Sequence, residues 1–268
     1  MKVLDFHTHC YPEKVADRAI ANVSKYGLQA SFNGTMTGLA QSMTAAGITY
    51  SVNLPLANTP ENTRGVNAWA AKHNTEPIFS LGSIHPDDPH PAATLQWIRS
   101  LGLKGIKMHP EYQRFRFSDR RLDPIWQACI DEDLFLLTHG GADIAFSPPV
   151  LASPEEMADL HRRFPRLKLI VAHLGGMGMW AEVEQTLVGL PIYFDLAMIC
   201  GYLDAETTVR IIRKHGTERI LFGTDAPWGS QSKALQWFLT LDLTPEEQER
   251  ILYRNGAELL ELYQPKAG

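Results

Sequence analysis

Short, nearly continuous apolar runs alternate with longer stretches in which apolar residues return every three or four positions, from the first residues almost to the last. The runs are Lys2–His7, Thr49–Leu54, Pro77–Ile84, Lys104–His109, Leu134–His139, Lys168–His173, Pro191–Leu196 and Arg219–Asp225. Runs this apolar read as parallel strands covered on both faces. Between them the helical period predicts Pro12–Tyr26, Leu39–Ala46, Glu61–His73, Pro91–Ser100, Asp123–Glu132, Pro154–Phe164, Met179–Val188 and Ala205–His215. End signals fall where that reading needs them: Ser153-Pro154-Glu155-Glu156 and Thr244-Pro245-Glu246-Glu247 at helix starts, His215-Gly216 at a helix end. Eight strands alternating with helices over about 250 residues predict an α/β fold, a (β/α)8 TIM barrel. It is expected as one domain over residues 1–268, with extra C-terminal helices. An open doubly wound sheet is disfavoured, since no GxGxxG follows the first strand. The longest loops, Pro110–Ser118 and Gly140–Ser153, follow strands, on the face where such barrels carry function.

Composition removes several classes of function. Hydrophobic content of 44%, charged content of 21% and net charge of −5 suit a globular protein and give no basic footprint for nucleic acid. Three scattered cysteines, Cys10, Cys129 and Cys200, do not make a disulfide framework. The N-terminal MKVLDFHTHC is not a signal peptide, and no apolar run reaches membrane-spanning length. A cytoplasmic protein acting on a small molecule, without nucleic-acid or membrane partners, is the expectation.

The histidines change the picture. Six of the ten stand at strand ends: His7, His9, His85, His109, His139 and His173; Asp225 closes the last strand. A parallel barrel brings all those ends around one mouth, where they can converge on a metal ion. His7 and His9 are two apart on a strand and so point the same way. Glycines after His139 and His173 let backbone approach a ligand closely. Asp225 can ligate a divalent ion and also move a proton. Lys107 shares the parity of His109, so both point inward as candidate substrate-binding residues. Buried there, Lys107 is carbamylated and bridges two metals, binds an anionic substrate or pairs with Asp225, or pairs structurally with Asp195; the last two are preferred. His85 either lines the pocket or makes a loop hydrogen bond. His73, His90, His161 and His215 are expected to be solvated, and Cys10 to be a packed thiol. No GxSxG motif is present. The loop from Glu111 to Phe117 mixes Arg114 and Arg116 with aromatics, a combination able to bind a carboxylate or planar ring but equally common on surfaces.

DFHTH, LKGIKMHPEYQ, LLTHGG, KLIVAHLGG, YFDLA and RILFGTDAPW, in this order over nearly the whole chain, resemble the amidohydrolase superfamily. The closer resemblance is to its amidohydrolase-related branch, which includes aminocarboxymuconate-semialdehyde decarboxylase. The resemblance implies His7, His9, His139 and Asp225 as ligands of one divalent ion, usually zinc, with manganese as the alternative. It implies a second ion if Lys107 is carbamylated, catalytic roles for His173 and Asp225, and a homo-oligomer. The leading expectation is a metal-dependent hydrolase of an amide, ester or lactone, with Asp225 taking a proton from metal-activated water. The alternatives are a metal-dependent non-oxidative decarboxylase of a conjugated or aromatic carboxylate, and a non-catalytic metal-containing binding barrel.

Overall fold

The computed structural model of the chain describes residues 1–262. Among the described residues nine parallel strands carry the architecture: β1 (Leu4–Thr8), β2 (Tyr50–Asn53), β3 (Ile78–Ser80), β4 (Gly82–Ser83), β5 (Gly105–Met108), β6 (Phe135–Thr138), β7 (Leu169–Val171), β8 (Tyr193–Asp195) and β9 (Ile220–Leu221). They form one three-stranded sheet, β1-β2-β3, and one six-stranded sheet, β4 through β9 in order. The eight predicted runs are thus all present, but Pro77–Ile84 is divided at Leu81 and serves both sheets. Gly82 and Asn67 explain the division. A Cβ on Gly82 would stand 2.7 Å from Asn67 Oδ1 and from Ile98 Cγ2, so helices press closely on the bend. Asn67 then accepts from Ser83 N (2.9 Å) and donates to Ser83 O (2.7 Å), replacing the ladder where it is interrupted.

Single bonds, not a continuous ladder, join the sheets. Leu81 N donates to Asn53 O at 3.0 Å on one seam. On the other, Phe6 N reaches Phe222 O (2.8 Å) and Asp225 N reaches His7 O (2.8 Å), which sets the end of the β9 run beside β1. The parallel strands, with helices between them, make the expected α/β barrel.

Helices lie close to their predicted places, and their caps account for the differences. The helix expected from Leu39 begins at Met36 because Thr35 accepts from Gly38 N; it ends at Gly47, whose φ of 73° a side chain would resist. Ser153 caps Pro154–Arg163, and Thr244 with Glu247 forms a capping box. Among the described residues no helix is long and apolar enough to cross a membrane.

The barrel interior is graded along its axis. Phe6 and Phe135, on non-adjacent strands, meet with ring centroids 5.8 Å apart, in a cluster with Val52, Leu137, Ile170 and Leu221. The C-terminal helix Asn255–Leu259 closes that end, and Gly256 permits contact with Leu4 and Phe6 that a Cβ would block at 2.8 Å. At the other end, polar and ionisable side chains replace the apolar filling.

Candidate metal centre and active site

The register of β1 against β2 shifts between Asp5 and Thr8. Such irregularities re-aim side chains, and here Phe6 packs in the apolar cluster while the adjacent His7 reaches the polar end. His7 Nδ1 lies 2.8 Å from Asp195 Oδ2, and both side chains are buried. Asp195 Oδ1 accepts the amides of His173 and Ala197, each at 3.0 Å, which fixes its other oxygen toward His7. His9 Nδ1 donates to Leu54 O at 3.0 Å. With the proton on each Nδ1, both Nε2 lone pairs face Asp225 Oδ1, at 3.5 Å for His7 and 2.9 Å for His9. A shared cation, a proton or a metal ion, draws three such groups together. An ion bonded at about 2.1 Å leaves neighbouring donors about 3.0–3.4 Å apart, close to both separations. His7, His9 and Asp225 therefore fit a divalent ion, and their donor atoms lie within 4.8 Å of one another.

Backbone geometry holds the third member. Asp225 adopts φ 64° and His173 φ 61°, left-handed conformations that cost non-glycine residues about 1–3 kcal/mol each and that gather at functional sites. The turn after Asp225 closes through Trp228 N and Gly229 N on Asp225 O (2.8 and 3.2 Å). Gly229 is obligatory there, since a Cβ would meet Thr224 O at 1.9 Å. Below, buried Asp5 accepts from Thr224 Oγ1 (2.6 Å), Thr224 N (3.0 Å) and Gln231 Nε2 (2.8 Å); burial outweighs these bonds and raises its carboxyl to about 7.

His139 stands one histidine away. His173 Nδ1 donates to Ala197 O (2.9 Å), so its Nε2 accepts from His139 Nδ1 (3.0 Å). The His173 ring lies between His7 and His139, with centroids 5.5 and 4.7 Å away. His139 also stacks on His109, 4.4 Å apart and 13° from parallel, and shares with His109 and Glu111 a second group of donor atoms within 4.8 Å. The structure brings together His7, His9 and Asp225; it sets His139 beside His109 rather than in that triangle.

Electrostatics follow from burial. Desolvation holds His7, His109 and His139 well below the usual imidazole range. Burial pushes Asp225 upward, but His7, His9 and His173 outweigh it and keep the carboxyl at about 2. Lys107, paired in register with Leu137 and so facing inward, is lowered by burial to about 8, with Asp195, Asp225 and Asp143 opposing. Among the described residues no carboxylate lies within ion-pairing distance of its Nζ. The expected pairing with Asp195 or Asp225 is thus long-range only, because Asp195 is committed to His7.

Other expectations divide. His85 Nδ1 accepts from Asp87 N at 3.1 Å, a loop hydrogen bond. Cys10 is buried and packed. His215 is not solvated: it is buried, stacks on Phe194 at 3.9 Å and bonds Ile192 O, closing a gap over a strand that its helical surroundings did not reveal. Arg116 pairs with Glu156 at 3.5 Å rather than with anything in the histidine cluster. Glu111 was legible only as part of a loop; its proximity to His109 and His139 depends on the loop after β6 folding over it.

This fold, with a triangle of side chains that fits a divalent ion, is that of an amidohydrolase-type barrel. The Amidohydrolase family matches residues 4–262, and the chain belongs to that family. A curated relative is the decarboxylase OrsB of Emericella nidulans, 29% identical over 128 residues, which is 41% of this chain and 39% of that protein; the match thus spans about two-fifths of the relative. Similar solved structures include an uncharacterised TIM-barrel protein of Bordetella bronchiseptica (TM-score 0.78, 21% identity, 97% of this chain and 99% of that one). Another is the 5-carboxyvanillate decarboxylase LigW of Sphingomonas paucimobilis (0.72, 16%, 97% and 99%). A third is a dihydroxybenzoic acid decarboxylase of Polaromonas with bound manganese and 2-nitroresorcinol (0.72, 15%, 99% and 98%).

These relatives overturn the leading expectation of hydrolysis, since the ones with an activity in their names are decarboxylases. The same donors serve both chemistries, so the ligand pattern in the sequence carried no information on which bond is broken.

Proposed function

We propose that the protein is a metal-dependent, non-oxidative decarboxylase of a hydroxylated aromatic carboxylate. The observation that carries the reading is the agreement of the curated relative and the fold neighbours on decarboxylation. The site supports it in two ways: Lys107 supplies unpaired positive charge for a carboxylate, and Tyr112 and Phe146, in edge contact at 4.9 Å, offer aromatic surface beside His109 for a planar ring. His7, His9 and Asp225 would hold the ion, manganese or zinc, since imidazole and carboxylate donors accommodate either. When bound, that ion supplies Lewis-acid stabilisation of charge on substrate oxygens.

The chain's own residues carry the rest. Loss of CO2 leaves the electron pair of the broken C–C bond on the ring carbon, which must gain one proton. Asp225, ionised and directed into the site, takes that proton from solvent or a substrate hydroxyl and hands it to the carbon. His173, with Nδ1 held by Ala197 O and Nε2 accepting from His139 Nδ1, fixes the His139 ring and keeps its own tautomer. Free cysteines are consistent with a cytoplasmic setting.

The test is turnover of a panel of hydroxybenzoates by manganese- or zinc-loaded protein in D2O. Release of CO2 with one deuterium at the vacated carbon is expected. No CO2 from any member, with ester or lactone cleavage instead, refutes the reading.

A further inference from the structure

The loop that follows β6 is tied firmly at its base. Gly141 N donates to Ala152 O (2.7 Å) and Ala142 N to Met177 O (2.9 Å). Glu111 Oε1, from the loop after β5, accepts the amides of Leu151 (3.0 Å) and Ala152 (3.2 Å). Between these ties little holds the chain. Among the described residues, 144–150 take part in two hydrogen bonds, and Asp143 accepts both: Ala145 N on Oδ1 (2.7 Å) and Phe146 N on its carbonyl oxygen (3.0 Å). An Asp side chain that accepts from the amide two residues on orders a short segment without help from a sheet or helix. Its other oxygen, Oδ2, lies 3.3 Å from His109 Nε2. His109 is itself fixed, its amide donating to Gln113 Oε1 (2.9 Å) while Gln113 Nε2 donates to Ala57 O (2.8 Å) and Ile84 O (2.9 Å). Asp143 thus folds the tip of the loop and pins it to the wall of the site.

What the turn presents is Phe146. Its ring meets Tyr112 edge-on, with centroids 4.9 Å apart and planes at 84°, and Tyr112 meets His109 in the same way at 4.7 Å and 86°. Phe146 is 40% exposed and Tyr112 36%, so both keep open aromatic surface in the corner they make. A planar ring can lie with its edge against one of them and its face against the other, the arrangements that aromatic quadrupoles favour; a saturated ring offers no flat face. Holding Phe146 in place beforehand also spares the binding step the entropy of ordering it.

We propose that Asp143 is the positioning residue of ring recognition: it sets Phe146 against Tyr112, and the corner so formed selects planar aromatic acids over saturated ones. With an aromatic carboxylate as substrate, the reading on which this rests, Asp143 acts through Phe146 and touches no reacting atom.

Isothermal titration calorimetry on manganese-loaded, full-length protein compares benzoate with cyclohexanecarboxylate, which carry the same charge on rings of similar size. Wild type is expected to bind benzoate about three- to tenfold more tightly. Phe146→Ala and Asp143→Ala should each abolish most of that preference. The double variant should bind benzoate no more weakly than Phe146→Ala, because the two residues act as one unit. Asp143→Asn, which keeps an acceptor for Ala145 N, should restore the wild-type preference. Circular dichroism and bound manganese are followed in every variant. Should Asp143→Ala fail to fold, Ala145→Pro, which removes the amide that Oδ1 holds, is measured in its place. A wild type without the preference overturns the proposal. So does an Asp143→Ala that keeps it, a double variant weaker than Phe146→Ala, or an Asp143→Asn that behaves like Asp143→Ala. Release of CO2 from hydroxybenzoates judges the decarboxylase reading separately: the preference without CO2 refutes that reading alone, and CO2 without the preference refutes the role of Asp143 alone.

Discussion

Lys107→Met should give a more stable protein that handles its substrate worse. The Lys107 ammonium sits inside the barrel with its proton affinity lowered from 10.5 to about 8, chiefly by burial. That difference makes the charged side chain cost the folded state about 3 kcal/mol below pH 8. Methionine keeps an unbranched stem of similar length and removes the charge. Between pH 8 and 10.5 the unfolded wild type binds the proton that the folded form has released, so wild-type stability rises with pH across this window. The advantage of Lys107→Met is therefore full at pH 7 and gone by about pH 10.5. Urea unfolding of both proteins in chelator, at pH 7, 9 and 10.5, measures it; at pH 7 the gain of about 3 kcal/mol corresponds to several degrees in Tm. In the loaded enzyme KM for an anionic substrate should rise. A variant no more stable than wild type at pH 7, or a difference indifferent to pH, would show that Lys107 is not held as a strained cation.

Three further outcomes follow from single contacts. Asp195→Asn keeps an acceptor for the His173 and Ala197 amides but turns an N–H toward His7 Nδ1, moving the His7 proton to Nε2; metal affinity by competition titration should fall about 10–100-fold, and an unchanged affinity would refute the tautomer argument. Gly141→Ala would set a Cβ 2.2 Å from Met177 N at φ 82° and should cost about 2–4 kcal/mol, whereas Gly201→Ala, with open space at φ 88°, should cost only the backbone penalty of about 1–2 kcal/mol; equal losses in denaturant melts would contradict the steric account. His215, lowered by burial to about 4, stays neutral while the unfolded chain protonates from about pH 6.5 downward, so stability is lost as pH falls from 6.5 through 4; a ring that titrates near 6.5 by NMR would disprove it.

The local pattern determined the elements. Apolar runs too short for helices and covered on both faces could only be parallel strands, and Ser153, Thr244 and Gly216 marked helix ends through hydrogen bonds made within a few residues. That the strand-end histidines and Asp225 gather at one mouth was legible for the same reason: once strands are parallel, their C-terminal ends must meet. What the sequence left open depends on contacts between distant segments. The division of Pro77–Ile84 follows from Asn67 and Ile98 pressing on Gly82. The choice of Asp195 as the partner of His7 rather than of Lys107 follows from two amides that fix its carboxylate. Glu111 enters the histidine cluster because the amides of Leu151 and Ala152 hold it from another loop. A sequence records which donors a strand end presents; which of them share one ion, and which face each other unpaired, is decided by the register of the strands and by loops that close over them.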